Sequence, residues 1–188
     1  MSRDYTKLPA TQVRRRDRAV ADDSWIAAFL HRAPMGVLAL CFDERPFANS
    51  NLFVYDEHDH AILLHTAVEG RTRSIIERQP RACFSVSEMG RLLPADKALE
   101  FSVEYAGVSI FGKVKIVEDP AEASRALQLL LDKYFPHLSA GEDYRPVVPE
   151  ELKRTTVYRL QIEEWIGKRK AVAADFPGAF HFPASPET

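Results

Sequence analysis

The chain has 188 residues, of which 46% are apolar, and its 25 basic and 27 acidic side chains nearly cancel. This length favours one folded domain over residues 1–188, large enough to bury its own core. The balanced charge gives no general electrostatic reason to bind nucleic acid or a membrane surface.

The expected cellular compartment is inferred from the absence of a membrane-spanning run and of a secretory segment. No apolar run is long enough to span a bilayer, and the first residues have no apolar segment of the secretory type. Cys41 and Cys83 both lie within apolar, strand-like runs, which argues against a disulfide framework and against a zinc site. We therefore expect a cytoplasmic protein with no metal.

The first half of the chain predicts one helix and three strands. Residues 1–20 are polar and are expected to form a flexible arm. Asp22-Asp23-Ser24 offers candidate N-caps for a helix that Pro34 ends. Apolar runs then predict strands over 35–42, 47–55 and 61–66.

The second half adds two helices and three further β segments. Asp119-Pro120 followed by Glu122 is typical of a helix start, with Asp at the N-cap and Pro at the first helical position. The expected elements are a helix over 71–79, a strand over 81–87, an irregular segment over 88–100, a β-rich stretch over 101–117, a loop over 136–150, a strand over 155–162 and a loose tail over 171–188.

About six strands and three helices, joined mostly by short turns, do not form alternating βαβ units. This pattern predicts a mainly β protein with helices, in which an antiparallel sheet closes into a barrel.

One candidate binding site lies where the third strand passes into the following helix. The apolar run ends in His65-Thr66, turns at Gly70 and enters a helix that carries Arg71 and Arg73. Helix starts and arginine side chains both favour anions, so the sequence predicts a phosphate site here. A structural alternative for His65 is a single hydrogen bond that caps the strand end.

Two other motifs carry weaker predictions. Residues 107–113 match the start of a phosphate-binding P-loop, but Val114 replaces the required Ser or Thr, and we reject that interpretation. The acidic and histidine residues of 56–60 are typical of a solvated hairpin loop rather than of a metal site.

The motifs together resemble the pyridoxamine 5′-phosphate oxidase-like flavoproteins, and most closely the branch related to 5-nitroimidazole resistance proteins. The resemblance spans roughly residues 20–170. It rests on the runs Pro46-x-x-Asn49-x-Asn51-Leu52-Phe53-Val54-Tyr55-Asp56, Leu64-His65-Thr66-Ala67-x-Glu69-Gly70-Arg71, Pro80-Arg81-Ala82-Cys83-Phe84, Tyr105-x-Gly107-Val108 and Ile162-Glu163-Glu164-Trp165.

The resemblance implies a six-stranded antiparallel split β-barrel that binds FMN, and a homodimer with the flavin at the subunit interface. The family's Gly-Arg-Lys phosphate segment is here Gly70-Arg71-Thr72, and Gly107 stands where the family often has serine. The implied cofactor residues are Asn49, Ser50, Asn51, Leu64, His65, Thr66, Ala67, Arg71, Thr72, Arg73, Trp165 and Lys168.

In this interpretation Arg71 anchors the phosphate, Arg73 acts as a second cation, and His65 is the catalytic candidate that orients flavin or acceptor. Phe53, Leu64 and a partner's Trp165 would form an apolar wall for the flavin rings. The expected activity is that of an oxidoreductase that moves electrons from a reduced nicotinamide to a small organic acceptor, with nitroaromatic compounds as one candidate class. The alternatives are a non-catalytic flavin, deazaflavin or haem-binding module with His65 as axial ligand, and a cofactor-free scaffold.

Overall fold

The computed structural model describes residues 4–182. The β-strands are β1 (Ala19–Val20), β2 (Gly36–Phe42), β3 (Arg45–Asn51), β4 (Val54–Asp56), β5 (Ala61–Ala67), β6 (Arg81–Leu93), β7 (Ser102–Ile116), β8 (Thr155–Lys170) and β9 (Phe180–His181). The α-helices are α1 (Asp23–Arg32), α2 (Arg71–Ile76), α3 (Pro120–Tyr134) and α4 (Pro149–Leu152), and 3₁₀ turns cover Tyr5–Lys7, Arg16–Arg18 and Ala98–Glu100.

Side-chain caps begin the two longest helices where the sequence predicts them. The Asp22 carboxylate accepts hydrogen bonds from the backbone N–H groups of Ser24 (2.9 Å) and Trp25 (3.4 Å) at the start of α1. The Asp119 carboxylate accepts from Ala121 N–H (2.8 Å), and Pro120 occupies the first turn of α3. These contacts satisfy N–H groups that have no partner within the helix.

The strands form one antiparallel sheet in the order β3-β2-β6-β7-β8-β5-β4, with β1 paired to β8 and β9 paired to β6. The mainly β, antiparallel class is therefore confirmed. Seven strands follow the main path instead of the expected six, because residues 47–55 divide into β3 and β4. Within residues 4–182 no ladder joins the edge strands β3 and β4, so the hydrogen-bonded path stays open.

Two apolar clusters hold the sheet and helices together. Alternation along β5 sends Ile62 and Leu64 into the main core with Tyr158, while Leu63 faces the other way, into a second cluster under α3. The helix α1 packs on the main core through Phe29. Both faces of β5 are thus covered, which explains its continuous apolar sequence.

The structure extends two strands beyond their predicted ends. The segment 88–93 was expected to be irregular, but it continues β6 and pairs with β7 across a bulge between Met89 and Leu92. The strand β8 likewise runs on to Lys170 instead of ending at Ile162. Tertiary pairing overrides weak local preference in both cases.

Parts of both terminal segments attach to the sheet. β1 lies within the predicted N-terminal arm and pairs with β8 at Gly167 and Lys168. The predicted tail is held by β6: Arg91 of that strand donates hydrogen bonds to the tail carbonyls of Ala173 (3.0 Å) and Ala174 (2.8 Å), and β9 pairs with β6. Residues 183–188 lie outside the described residues.

Candidate functional site

The turn between β5 and α2 presents an unpaired cation at an open corner. Gly70 has φ 147° and ψ 172°, a conformation essentially restricted to glycine, and a Cβ placed there would meet no atom within 4 Å. The Arg71 guanidinium lies 5.9 Å from the centre of the Phe47 ring. Among residues 4–182 it makes no hydrogen bond and no ion pair. The corner therefore leaves its full positive charge available to an anion.

The helix itself contributes less than predicted. α2 contains six residues and ends at Ile76, whereas the sequence predicted a helix over 71–79. So short a helix has a weak dipole, and the attraction for an anion comes from Arg71.

Arg73, which was predicted to be a second cation at this corner, already contacts other residues of the chain. Its guanidinium donates to the Glu77 carboxylate (2.8 Å), the Val68 carbonyl (3.1 Å) and the Thr156 hydroxyl (3.3 Å). These partners tie α2 to the ends of β5 and β8. Arg73 is thus an internal clamp.

The predicted polar residues of β3 divide between the two faces of the strand. Asn49 faces α2, where its side-chain amide donates to the hydroxyl of the buried Thr72 (3.3 Å). The Asn51 side chain shares that face, and its buried Oδ1 has no hydrogen-bond partner among the described residues. Ser50 points to the opposite face, beside Val37 of β2.

His65 and Thr66 were expected to act side by side, but they lie on opposite faces of β5 because side chains alternate along a strand. The Thr66 hydroxyl is 3.1 Å from the Tyr158 hydroxyl on the core side. His65 faces α3 and α4, where it opens into a cleft of about 450 Å³. The cleft is lined by His65, Leu127, Leu130, Leu131, Val147, Glu151, Arg154 and Thr155.

The His65 ring is polar but has no polar partner. Neither of its nitrogens makes a hydrogen bond among residues 4–182. Although one edge of the side chain reaches solvent, desolvation by the surrounding protein lowers the pKa of His65. The neutral imidazole is therefore favoured at neutral pH. The predicted strand-end cap for His65 does not form.

Two residues proposed for the flavin wall are unavailable to a ligand. Phe53 and Leu64 are both 0% exposed within the main core. Ala67, by contrast, is exposed at the end of β5.

A bulge in β8 decides where Trp165 and Lys168 point. Gly112 of β7 pairs with Ile162 but Phe111 pairs with Glu164, so Glu163 is the extra residue. Before the bulge the even-numbered side chains of β8 face the main core, and after it the odd-numbered ones do. The Trp165 indole N–H consequently donates to the Asp23 carboxylate of α1 (2.8 Å), and its partly buried ring packs against the main core.

Lys168 lies on the other face of the sheet, which we call the open face. Here the register aligns Ser50, Val37, Ser85, Ser109 and Ile166 in one row across five strands. Lys168 stands beside Gly107 in a cleft of about 350 Å³, 5.6 Å from the centre of the Tyr105 ring. The face is broad, partly exposed and built largely of small side chains.

The polar hairpin at residues 56–60 forms ion pairs. Arg125 pairs with Asp56 and with Asp59 (3.1 Å), and His60 Nδ1 lies 3.0 Å from the Tyr55 hydroxyl. No cluster of candidate metal ligands occurs within residues 4–182. None of the helices described there is both long enough and apolar enough to cross a membrane.

The family of the chain follows from a comparison with models of protein families. Residues 22–169 match the family model described as pyridoxamine 5′-phosphate oxidase. The chain belongs to this family. The predicted resemblance is thereby confirmed over nearly all of the span on which it rested. A search of curated proteins gives no match.

Solved structures agree with this assignment. The flavocytochrome Anf3 from Azotobacter vinelandii is 24% identical, with a TM-score of 0.77 over 95% of this chain and 87% of that one. An FAD and haem binding protein from Mycobacterium smegmatis is 20% identical, with a TM-score of 0.76 over 91% and 88%. A putative 5-nitroimidazole antibiotic resistance protein from Bacteroides thetaiotaomicron is 18% identical, with a TM-score of 0.66 over 80% and 86%. At these identities the likeness establishes the split-barrel fold.

The sequence prediction missed two arginines near the β5–α2 corner. Arg45 and Arg78 line a cleft of about 410 Å³ between the β2–β3 hairpin and α2, together with Arg71 and Phe47. Strand alternation could have placed Arg45 on the same face as Phe47 and Asn49. Arg78 lies seven positions after Arg71 within the predicted helix over 71–79, so helical periodicity could have placed the two arginines on one face.

Proposed function

We propose that this chain binds a flavin, with FMN as the leading candidate, and acts as an oxidoreductase that passes electrons from a reduced nicotinamide to a small organic acceptor. The observation that carries the proposal is the unpaired Arg71 guanidinium at the open Gly70 corner, in a chain of the pyridoxamine 5′-phosphate oxidase family.

The residues present fit the phosphate end of a flavin. Arg71 offers a forked donor to phosphate oxygens, and Gly70 leaves room for them next to the backbone. Thr72 brings no charge where the family has a lysine; its buried hydroxyl instead accepts a hydrogen bond from the Asn49 amide (3.3 Å) and so positions that side chain on β3.

Asn51 adds a reason to expect a ligand beside β3. A buried acceptor without a partner costs about 1–3 kcal/mol. Asn51 Oδ1 is such an atom, and a ligand that donates a hydrogen bond to it would remove that cost. The imide N–H of a flavin is a donor of this kind.

A bound flavin supplies the transfer of an electron pair. The chain's own residues bind and orient it: Arg71 fixes the phosphate, and the β3 amides fix the polar edge. Since Leu64 and Phe53 are buried, the apolar wall for the rings must come from elsewhere.

We further propose that the protein is a homodimer, formed through the open face of the sheet. The open face supports this proposal because it is broad and formed by small and apolar side chains, among them Val37, Cys83 and Phe111. Single monomers seldom expose such a contiguous face. Lys168 on this face would then carry a positive charge to the interface.

Spectroscopy of the purified protein tests the flavin. We expect two broad visible bands and, after denaturation, a released molecule with the mass of FMN. A released molecule with the mass of FAD would support flavin binding but would replace FMN as the cofactor. A colourless protein that also fails to quench the fluorescence of added FMN would overturn the proposal. Sedimentation of the same sample measures the expected dimer.

A second candidate, haem binding, is favoured by the cleft at His65. This cleft joins a neutral imidazole without partners to four apolar side chains and to the Arg154 guanidinium, which makes no ion pair among residues 4–182. An iron ligand, an apolar wall and a cation for a carboxylate are the groups that a haem site needs. Two similar solved structures are described as a flavocytochrome and as an FAD and haem binding protein.

Haem titration tests this second candidate. Addition of haem should give an intense Soret band that His65→Ala removes, whereas Arg71→Ala, at the separate corner, should leave it unchanged. A Soret band that survives His65→Ala would contradict the assignment of the ligand.

A further inference from the structure

The cleft that sequence analysis missed lies between the far end of the β2–β3 hairpin and α2. Its walls place Phe42, Arg45 and Phe47 from the hairpin opposite Arg71 and Arg78 from the helix side. The hairpin residues lie on the α2 face of the sheet, opposite to the open face, so the proposed dimer contact does not cover them.

Three guanidinium groups line this cleft and no carboxylate does. Arg45 and Arg71 have no hydrogen bond or ion pair among residues 4–182, and Arg78 donates only to the Ser74 carbonyl (2.6 Å). Three like charges in one cleft repel one another, and none of them forms an ion pair with a carboxylate of residues 4–182. The total charge of the chain is −2, so this is a local concentration of positive charge.

Aromatic rings accompany the arginines. The guanidinium of Arg78 lies 5.9 Å from the centre of the Phe42 ring, which is 42% exposed, and Arg71 lies at the same distance from Phe47. A cleft with arginines for phosphate and the exposed ring of Phe42 for a planar base matches the two parts of a nucleotide.

We propose that this cleft binds the adenosine phosphate portion of a dinucleotide. The proposal deepens the proposed function and rests on it for the role of Arg71, which lines both the flavin corner and the cleft. Arg45 and Arg78 would hold a phosphate beyond the one at the corner. Two sources carry this chemistry: the adenylate half of FAD, or that of the reduced nicotinamide donor.

Binding of 5′-AMP to the full-length protein at low salt is the direct test, measured by calorimetry. We expect saturable binding that the double variant Arg45→Gln, Arg78→Gln weakens more than tenfold, as the loss of a charge-assisted contact requires. Arg81→Gln, at an exposed arginine outside the cleft, is the matched control and should bind AMP as the parent does. Adenosine, which lacks phosphate, should bind weakly and equally to all three proteins.

The outcomes separate this inference from the flavin proposal. A fall in the preference for FAD over FMN in the double variant supports the flavin source, and a fall in affinity for reduced nicotinamide dinucleotide alone supports the donor source. If the protein binds AMP but no flavin, the assignment of the cleft stands and the proposed function is overturned. No AMP binding, or equal binding by parent and double variant, overturns the cleft assignment even where FMN binds.

Discussion

Two groups of arginines in this molecule have opposite surroundings. Arg125 of α3 and Arg159 of β8 each pair with two carboxylates. Arg159 pairs with Asp59 (2.8 Å) and with Glu122, and Arg125 pairs with Asp56 and Asp59. In the cleft between the β2–β3 hairpin and α2, Arg45 and Arg71 have no ionic partner among residues 4–182.

The difference separates arginines that hold elements of the fold together from arginines that remain available to a ligand. A guanidinium that already holds two carboxylates fixes one element against another and cannot take up a ligand. A guanidinium without a partner adds nothing ionic to the fold and remains available. Mutation should therefore affect stability in the first group and ligand binding in the second.

The largest expected effect is on stability. Arg159→Met should lower the free energy of unfolding by about 3 kcal/mol, because two charge-assisted contacts disappear from a partly buried site: Glu122 loses its cation and Asp59 keeps only Arg125. Chemical denaturation measures the change. Lys115→Met removes the same charge at an exposed position of β7 and should cost little. Equal losses in the two variants would show that the network does not hold α3.

The next effect concerns binding alone. Arg71→Ala should weaken flavin binding by about 2 kcal/mol, roughly thirtyfold, through the loss of a charge-assisted phosphate contact. The unfolding free energy of the flavin-free protein should change by less than about 0.5 kcal/mol, as at an ordinary surface position. Fluorescence titration with FMN gives the affinity, with Arg81→Ala as control. Unaltered affinity would place the anchor elsewhere.

Arg73→Gln sharpens the contrast within a single helix. Arg73 lies two positions after Arg71 but belongs with the paired arginines. Its loss should reduce stability by about 1 kcal/mol, since three hydrogen bonds disappear from the clamp. Flavin affinity should change far less than in Arg71→Ala. The reverse pattern would restore Arg73 as the second phosphate cation.

A further effect is a pH dependence at Lys133, a half-buried cation that pairs with no carboxylate among residues 4–182. Burial lowers the pKa of Lys133 to about 8, where its ammonium group lies 3.8 Å from the centre of the Phe53 ring. Because the unfolded chain keeps this proton to higher pH, stability should rise as the pH increases from about 8 towards 10.5. Lys133→Met should lack this rise when unfolding is compared across that pH range.

The sequence was most informative where short-range rules act. The caps at Asp22 and Asp119 and the apolar run of β5 follow from contacts within a few residues, and the structure has them as predicted. The unusual backbone at Gly70 also agrees with the predicted turn.

The candidate site was less predictable because it depends on the faces of strands. His65 and Thr66 are adjacent in sequence but point to different sides of β5, and the apolar residues Leu64 and Phe53 are buried in the core. The pairing of Arg73 with Thr156 joins residues 83 positions apart, which no local pattern reveals. A motif can locate a corner of the fold, whereas the partners of each side chain are set by the whole chain.

The bulge in β8 has a consequence for how the family's sequences can vary. A Cβ on Gly112 would lie 1.9 Å from the Gln161 carbonyl oxygen, so the backbones touch where Glu163 is inserted. Deletion of Glu163 would shift the register of the rest of β8 by one residue. Every later side chain of the strand would then point to the opposite face of the sheet. Trp165 would leave its place against α1, and Lys168 would be driven towards the core. Insertions and deletions at this point of β8 should therefore be tolerated only in pairs of residues, although the segment is exposed and polar.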